Sequence, residues 1–304
     1  MNKKTNTLFS ITLFLVLALT AGITEADFTF GTPTNLGAIV NSPHNEGSPS
    51  ISADGLELYF GSNRPGGFGG SDLWVTKRPT VDSKWGKPVN LGPIVNSSAA
   101  ESAPSISADG LELYFCDWKD PRPGGQGSVD LWVTTRPTKD DQWGKPVNLG
   151  PTVNGPGYEV TPEISFDGIE LYFESERHGG LGLDDLYVCR RTTTEDDWGE
   201  PVNLGPTING PLWEHCPTIS ADGLTLFFDL DIPGDLMVTR RATKDDGWRK
   251  PVNLGHSASD HYASDISADG SILYFASKHD GGQGGSDIWQ VKIMPNVNLT
   301  GEKK

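Results

Sequence analysis

Five near-copies of one phrase run through this chain. Pro49-Ser-Ile-Ser-Ala-Asp-Gly-Leu-Glu-Leu-Tyr-Phe60 returns as Pro104 to Phe115 and, with small changes, as Pro162 to Phe173, Pro217 to Phe228 and Ser264 to Phe275. The Asp-Gly glycines, Gly55, Gly110, Gly168, Gly223 and Gly270, are 55, 58, 55 and 47 residues apart. A step of about 40–50 residues with several short strands per unit marks the blades of a propeller.

One unit reads as four strands. Strand A is Pro49–Ser52, closed by the turn Ala53-Asp54-Gly55. Asp-Gly between two apolar runs is a hairpin signal, because glycine accepts positive φ and aspartate tolerates it. In strand B, Leu56 to Phe60, alternate residues share a face. Strand C follows a glycine-rich turn as Asp72–Thr76, and strand D is Trp85–Gly92. Its internal proline places D at a sheet edge, where a missing N–H is harmless. D segments follow only the first four units, at Trp85, Trp143, Trp198 and Trp248. The fifth stands at the other end of the chain as Thr32–Gly37. The expectation is an all-β, five-bladed β-propeller whose N-terminal strand completes the last blade and closes the ring, with no open seam left.

Lys3 and Lys4 precede an apolar run from Leu8 to Ile23, which reads as a secretory signal peptide ending near Ala26. The expected layout is a signal peptide over 1–26, the propeller over 27–298 and a flexible tail over 299–304. No cysteine follows the apolar run and no second run is long enough to span a bilayer, so a periplasmic or secreted protein without membrane insertion is expected. Removing residues 1–26 takes away Lys3, Lys4 and Glu25, leaving a formal charge of −17. Nucleic acid is a poor partner for such a field. Cys116, Cys189 and Cys216 are scattered over three blades and form neither a disulfide framework nor a zinc set. The recurring tryptophans read as inter-blade packing.

The motifs Ser-x-Asp-Gly-x-x-Leu-Tyr-Phe, Gly-Gly-x-Gly-Gly-Ser-Asp-Leu-Trp-Val and Trp-Gly-Lys-Pro-Val-Asn-Leu-Gly resemble the WD-repeat-like β-propeller repeats of TolB-like proteins. The resemblance covers nearly the whole chain after residue 26. It implies a periplasmic platform for binding and docking. Related propellers in sugar-cleaving enzymes carry acids in a central funnel, which keeps an enzyme in view.

Three sets of residues carry candidate chemistry. Eight residues before each turn aspartate stand Glu46, Glu101, Glu159, Glu214 and, in blade five, His261. They precede the innermost strands, so a ring at one channel mouth is expected, unless they serve the repeat by bonding backbone N–H groups. Four positions before the turn aspartate the series is Ser50, Ser105, Glu163, Thr218, Asp265, and just after the strand-B phenylalanine it is Gly61, Cys116, Glu174, Asp229, Ala276. Paired acids in a water-poor funnel can split acid and base roles. Beside the glutamates, blades three to five gain Tyr158, Trp213, His215 and Tyr262. Aromatics next to carboxylates suit a sugar, whose apolar face stacks while its hydroxyls hydrogen-bond. Asp72, Asp130, Asp185, Asp235 and Asp287 read as caps of the glycine-rich turns.

The function expected is an exported, non-enzymatic binding or scaffold propeller, monomeric, whose partner is a glycan or an envelope protein. Its ligand-binding residues would be Tyr158, Glu159, Trp213, Glu214, His215, His261 and Tyr262. The alternatives are a glycoside hydrolase or lyase working through Glu163, Asp265, Glu174 or Asp229, and a protein–protein docking scaffold. No cofactor is expected; a divalent cation such as calcium is the one left open.

Overall fold

A computed structural model describes residues 28–118, 122–230, 235–254 and 261–295. It is a five-bladed β-propeller. Blade one consists of Glu46–Ile51, Glu57–Ser62, Asp72–Lys77 and Val89–Asn90, ordered from the inside outwards. Blades two, three and four repeat this antiparallel order, starting with the inner strands Ala100–Ile106, Glu159–Ile164 and Glu214–Ile219. The inner strands touch one another in a closed ring that ends with His261–Ile266 of blade five.

Blade five is closed from the far end of the chain. Thr34 and Asn35 pair with Gln290 and Trp289 of its third strand, as the missing D segment requires. The segment Phe28–Phe30 pairs further along, opposite Ile293–Pro295. Phe28 also packs on Phe227 of blade four, with ring centroids 5.8 Å apart, so the closing segment bridges two blades. The signal-peptide and tail assignments lie outside the described residues.

The structure differs from the sequence reading at two strand ends. The outer strands are only two residues long, because proline precedes each Val-Asn pair and cannot donate to the ladder. The inner strands begin earlier than Pro49, at Glu46 and its equivalents, and cross a bulge. Ser48, Ala103, Thr161 and Cys216 have φ of 47° to 51° at that bulge, which re-aims the side chains on either side of it.

The tryptophans do hold blade to blade. Trp143, Trp198 and Trp248 meet Tyr59, Tyr114 and Tyr172 of the preceding blade edge-on, at 6.1–6.5 Å. Arg136, Arg191 and Arg241 lie over those tryptophans at 4.4–4.6 Å. Each then reaches back to a glutamate of the preceding blade, Glu57, Glu112 or Glu170, at 2.6–3.0 Å. Apolar area and a charge-assisted bond are thus combined at one contact. The turn aspartates act as caps: Asp72 accepts from Phe68 N and Gly69 N at 2.7 and 3.0 Å and from the Asn90 amide at 2.7 Å.

Candidate functional site

The repeated glutamates do not face the channel as a ring of accessible acids. Glu46, Glu101, Glu159 and Glu214 are each 0% exposed. Each accepts a backbone N–H four residues upstream: Ser42, Ser97, Gly155 and Gly210, at 2.7–3.0 Å. In blades one to three an arginine completes the arrangement. Arg64, Arg122 and Arg177 lie 2.7–3.0 Å from Glu46, Glu101 and Glu159. Bulk water reaches none of these carboxylates, so the sequence expectation of a glutamate ring at the mouth gives way to a set of internal ties. Glu159 and Glu214 therefore supply the frame beneath the mouth rather than its surface.

The second set, four positions before the turn, does line the channel. There it forms a belt between blades. Ser50 Oγ accepts Ile106 N–H at 3.1 Å, and Ser105 Oγ accepts Ile164 N–H at 3.0 Å. Glu163 accepts Ile219 N–H at 3.3 Å, and Asp265 accepts Ile51 N–H at 2.7 Å. Blades one, two, three and five thus each satisfy an inner-edge donor of the next blade, which would otherwise be buried unpaired. Thr218 breaks the sequence by donating to Ser264 O, and Asp265 covers Ile266 N–H with its other oxygen at 2.6 Å. Ser105 also donates to Glu163 at 2.9 Å.

Those two acids are buried in a narrow space. The cavity on the Asp-Gly side of the belt holds about 50 Å³ and the one on the proline side about 20 Å³. Burial pushes the Asp265 carboxyl up to about 7. Burial and the facing charge of Asp265 push Glu163 well above the usual carboxylate range. At neutral pH the pair resists double ionisation. One residue that the sequence reading passed over closes the Asp-Gly side. Phe166 stands where the other turns have Ala53, Ala108, Ala221 and Ala268, and it borders the 50 Å³ cavity.

The opposite mouth is asymmetric. On blades three and four it is walled by ring side chains. Tyr158 donates to Asp184 and lies 6.3 Å from Trp118, while Trp213 stacks on His215 at 6.5 Å. His215 Nδ1 is 3.1 Å from Glu174, which also accepts Cys216 N–H at 3.2 Å. Burial opposes protonation of His215, but the bond to Glu174 outweighs it and raises the imidazole above its ordinary value. Asp229 sits opposite His215 in the ladder. Tyr158, Trp213, His215, Glu174 and Asp229 are therefore brought to one region. The side chains of His261 and Tyr262, on the inner strand of blade five, lie outside the described ones.

The open space lies on the other side of this mouth. A cavity of about 370 Å³ is bordered by Asn45, Glu46, Asn63 and Ser71 of blade one, Ala100 and Ser102 of blade two, and Ala276 and Ser286 of blade five. None of Tyr158, Trp213 or His215 borders it. The room arises because blades one and two carry small residues where blades three and four carry rings. The signal was present in the sequence as Gly47, Gly61, Ala100 and Ser102. Among the described residues no group of three or more His, Cys, Asp or Glu side chains is placed to hold a metal ion. Among them, too, no helix is long and apolar enough to cross a membrane.

No protein-family model matches the sequence, and no curated protein sequence matches it. Solved structures do match the fold. TolB from Acinetobacter baumannii superposes with a TM-score of 0.52 at 14% identity, over 82% of this chain and 54% of that one. The chain thus spans about half the length of that TolB. A thermostable family-43 glycoside hydrolase gives 0.56 at 14% identity, over 84% and 91% of the two chains. Zg3597, a family 117 glycoside hydrolase from the marine bacterium Zobellia galactanivorans, gives 0.61 at 12% identity, over 88% and 91%. At these identities the likeness shows the fold alone, and that fold is a β-propeller of TolB-like resemblance.

Proposed function

We propose that this chain is an exported, non-catalytic propeller that binds an uncharged polar ligand, a glycan unit or another envelope component, in the mouth between blades five, one and two. The observation that carries this is the fate of the funnel acids. Glu163 and Asp265 are engaged by the backbone donors of Ile219, Ile51 and Ile266, beside a cavity of about 50 Å³. A ligand site for a small organic molecule holds about 300 Å³ or more. The mouth cavity, at about 370 Å³, reaches that size; besides Glu46, which Arg64 pairs, its polar border is of amide and hydroxyl side chains suited to sugar hydroxyls.

A glycan-array screen of the chain lacking residues 1–26 tests the reading, with reducing-end release assayed on every hit. Ala100→Tyr, which copies Tyr158 of blade three into the cavity wall, should abolish binding and leave thermal stability intact. Binding that survives this change removes the cavity from consideration.

Sugar cleavage is the second reading, and the Glu174–His215 pair beside Asp229 is what favours it. Glu174→Gln keeps the shape of the side chain. A hydrolase would lose turnover at least about a hundredfold, whereas a binder would keep its affinity.

A further inference from the structure

Blade one places two asparagines at the mouth where its siblings have other residue types. Asn45 stands where blades two to four have Ala100, Tyr158 and Trp213. Asn63 stands where blades two, three and five have Trp118, Glu176 and Lys278. Both asparagines border the cavity of about 370 Å³. Each is held by its side-chain oxygen. Asn63 Oδ1 accepts Asn45 N–H at 2.9 Å, and Asn45 Oδ1 accepts Ser286 N–H of blade five at 3.0 Å. Gly285 leaves room for the second bond, since a Cβ there would run into Asn45 Oδ1. Turning either amide over would set an NH₂ group against a backbone N–H, so both orientations are fixed.

The result is an imbalance in what the mouth offers. The side-chain oxygens of Asn45, Asn63 and Glu46 are all engaged by protein donors, Glu46 by Ser42 N–H, Ser62 Oγ and Arg64. Among the described residues no acceptor meets Nδ2 of Asn45 or Asn63. A ligand carbonyl, which only accepts, suits such a wall; a ligand hydroxyl also needs an acceptor for its own proton. An anion is opposed by the net charge of −16 and by Glu46 at the border. Ser71 and Ser102 offer hydroxyls to an amide N–H, and Gly61, Ala100 and Ala276 offer apolar surface to a methyl group. Ser286 is 9% exposed, and its Oγ has no hydrogen-bond partner among the described residues.

We propose that the mouth recognises a neutral acylamino group, the acetamido substituent of an N-acetylated sugar, through Nδ2 of Asn45 and Asn63. This rests on the mouth-binding reading above and adds the class of sugar. A sugar is favoured over an extended peptide, which binds by adding to a free strand edge. The N–H groups of Glu46 and Glu101, where the inner strands reach the mouth, already donate to Ser286 O and Ser71 O.

The experiment is calorimetric titration of the chain lacking residues 1–26 with N,N′-diacetylchitobiose and with cellobiose, which differ only in acetamido against hydroxyl at carbon 2. The acetylated disaccharide should bind at least about tenfold more tightly, the scale of one well-made hydrogen bond. Asn63→Asp keeps the acceptor for Asn45 N–H and replaces the free donor with an oxygen, so it should erase the preference and leave the unfolding midpoint unchanged. Asn45→Asp does the same for the other amide and decides the matter if Asn63→Asp fails to fold. Equal or tighter binding of cellobiose overturns the inference and leaves the mouth reading standing. So does a preference that persists in both variants. Tighter binding of the peptide N-acetyl-Gly-Gly-amide overturns the assignment to a sugar. Failure of both disaccharides overturns the inference, and the mouth reading falls with it only if the glycan array also yields no hit that Ala100→Tyr abolishes.

Discussion

Asp265→Ser tests whether the channel acids are structural ties held at an electrostatic cost. Serine is what blades one and two use at this position, where its hydroxyl accepts the next blade's N–H. The substitution should keep the bond from Ile51 N–H and lose the one from Ile266 N–H. That lost bond costs about 1–3 kcal/mol at any pH. Against it stands the ionisation of Asp265, whose carboxyl is held at about 7 in the folded chain from an ordinary 3.8. The folded state binds the proton more tightly than the unfolded chain does. Stability is therefore full below about pH 4 and is lost as pH rises toward 7. At about 1.4 kcal/mol per unit, the total loss is about 4 kcal/mol, of which about 2–3 kcal/mol falls between pH 5 and pH 8. Removing the carboxyl removes this slope and also lets Glu163 ionise without a facing charge. The hydrogen-bond loss is the same at both pH values, so it cancels in the comparison. Urea unfolding at pH 5 and pH 8 should show Asp265→Ser gaining about 2–3 kcal/mol on the parent chain between the two. In midpoint temperature that is about 5 °C or more. An unchanged or reversed difference would show that the acids are not held against their ionisation.

Three further outcomes are expected. Deleting residues 28–37 should lower the unfolding midpoint far more than trimming residues 299–304, because it removes the partners of Trp289, Gln290 and Ile293 and uncovers Phe227; equal effects, read by calorimetry, would count against ring closure by this segment. Arg177→Ala should destabilise by about 3–5 kcal/mol, because it leaves Glu159 buried without its cation, and Glu159→Gln in the same chain should restore part of the loss; urea unfolding of both variants measures it. Mass spectrometry of the exported protein should find an N-terminus near Asp27 and no added lipid; an intact Met1 would remove the export reading.

The architecture was legible because it rests on local chemistry. Asp-Gly turns, period-two apolar runs and the misplaced fifth D segment each act within a few residues, and five copies average out the noise. The turn aspartates and inter-blade tryptophans were legible for the same reason. The roles of the acids were less so. Glu46 and Asp265 are the same residue class at similar distance from a turn, yet one is locked under Arg64 and the other holds the backbone of the next blade. Its partner, Ile51, is 214 positions away, and only ring closure brings the two together. A clue to Glu46 was present, since Ser62 and Arg64 follow strand B at the spacing repeated by Ser175 and Arg177. The bulge at Ser48 separated the two sets, and nothing in residue type announces a positive φ at serine, alanine, threonine and cysteine.

Where the repeat is kept and where it lapses follow different physical demands. The ring leaves none of these inner-edge donors unpaired: the belt position changes from serine to glutamate or aspartate without giving up its bond, and where Thr218 of blade four turns to Ser264 O, Asp265 covers Ile266 N–H instead. At the mouth only blade three shows a comparable tie among the described residues, from Cys216 N–H to Glu174. There, Gly61, Cys116, Glu174, Asp229 and Ala276 differ in size and charge at one ladder position. Specificity for one asymmetric ligand needs an environment that differs from blade to blade, and these positions supply it. On that ground a site is to be sought where blades one and two leave room, rather than among the buried acids that the repeat makes most conspicuous.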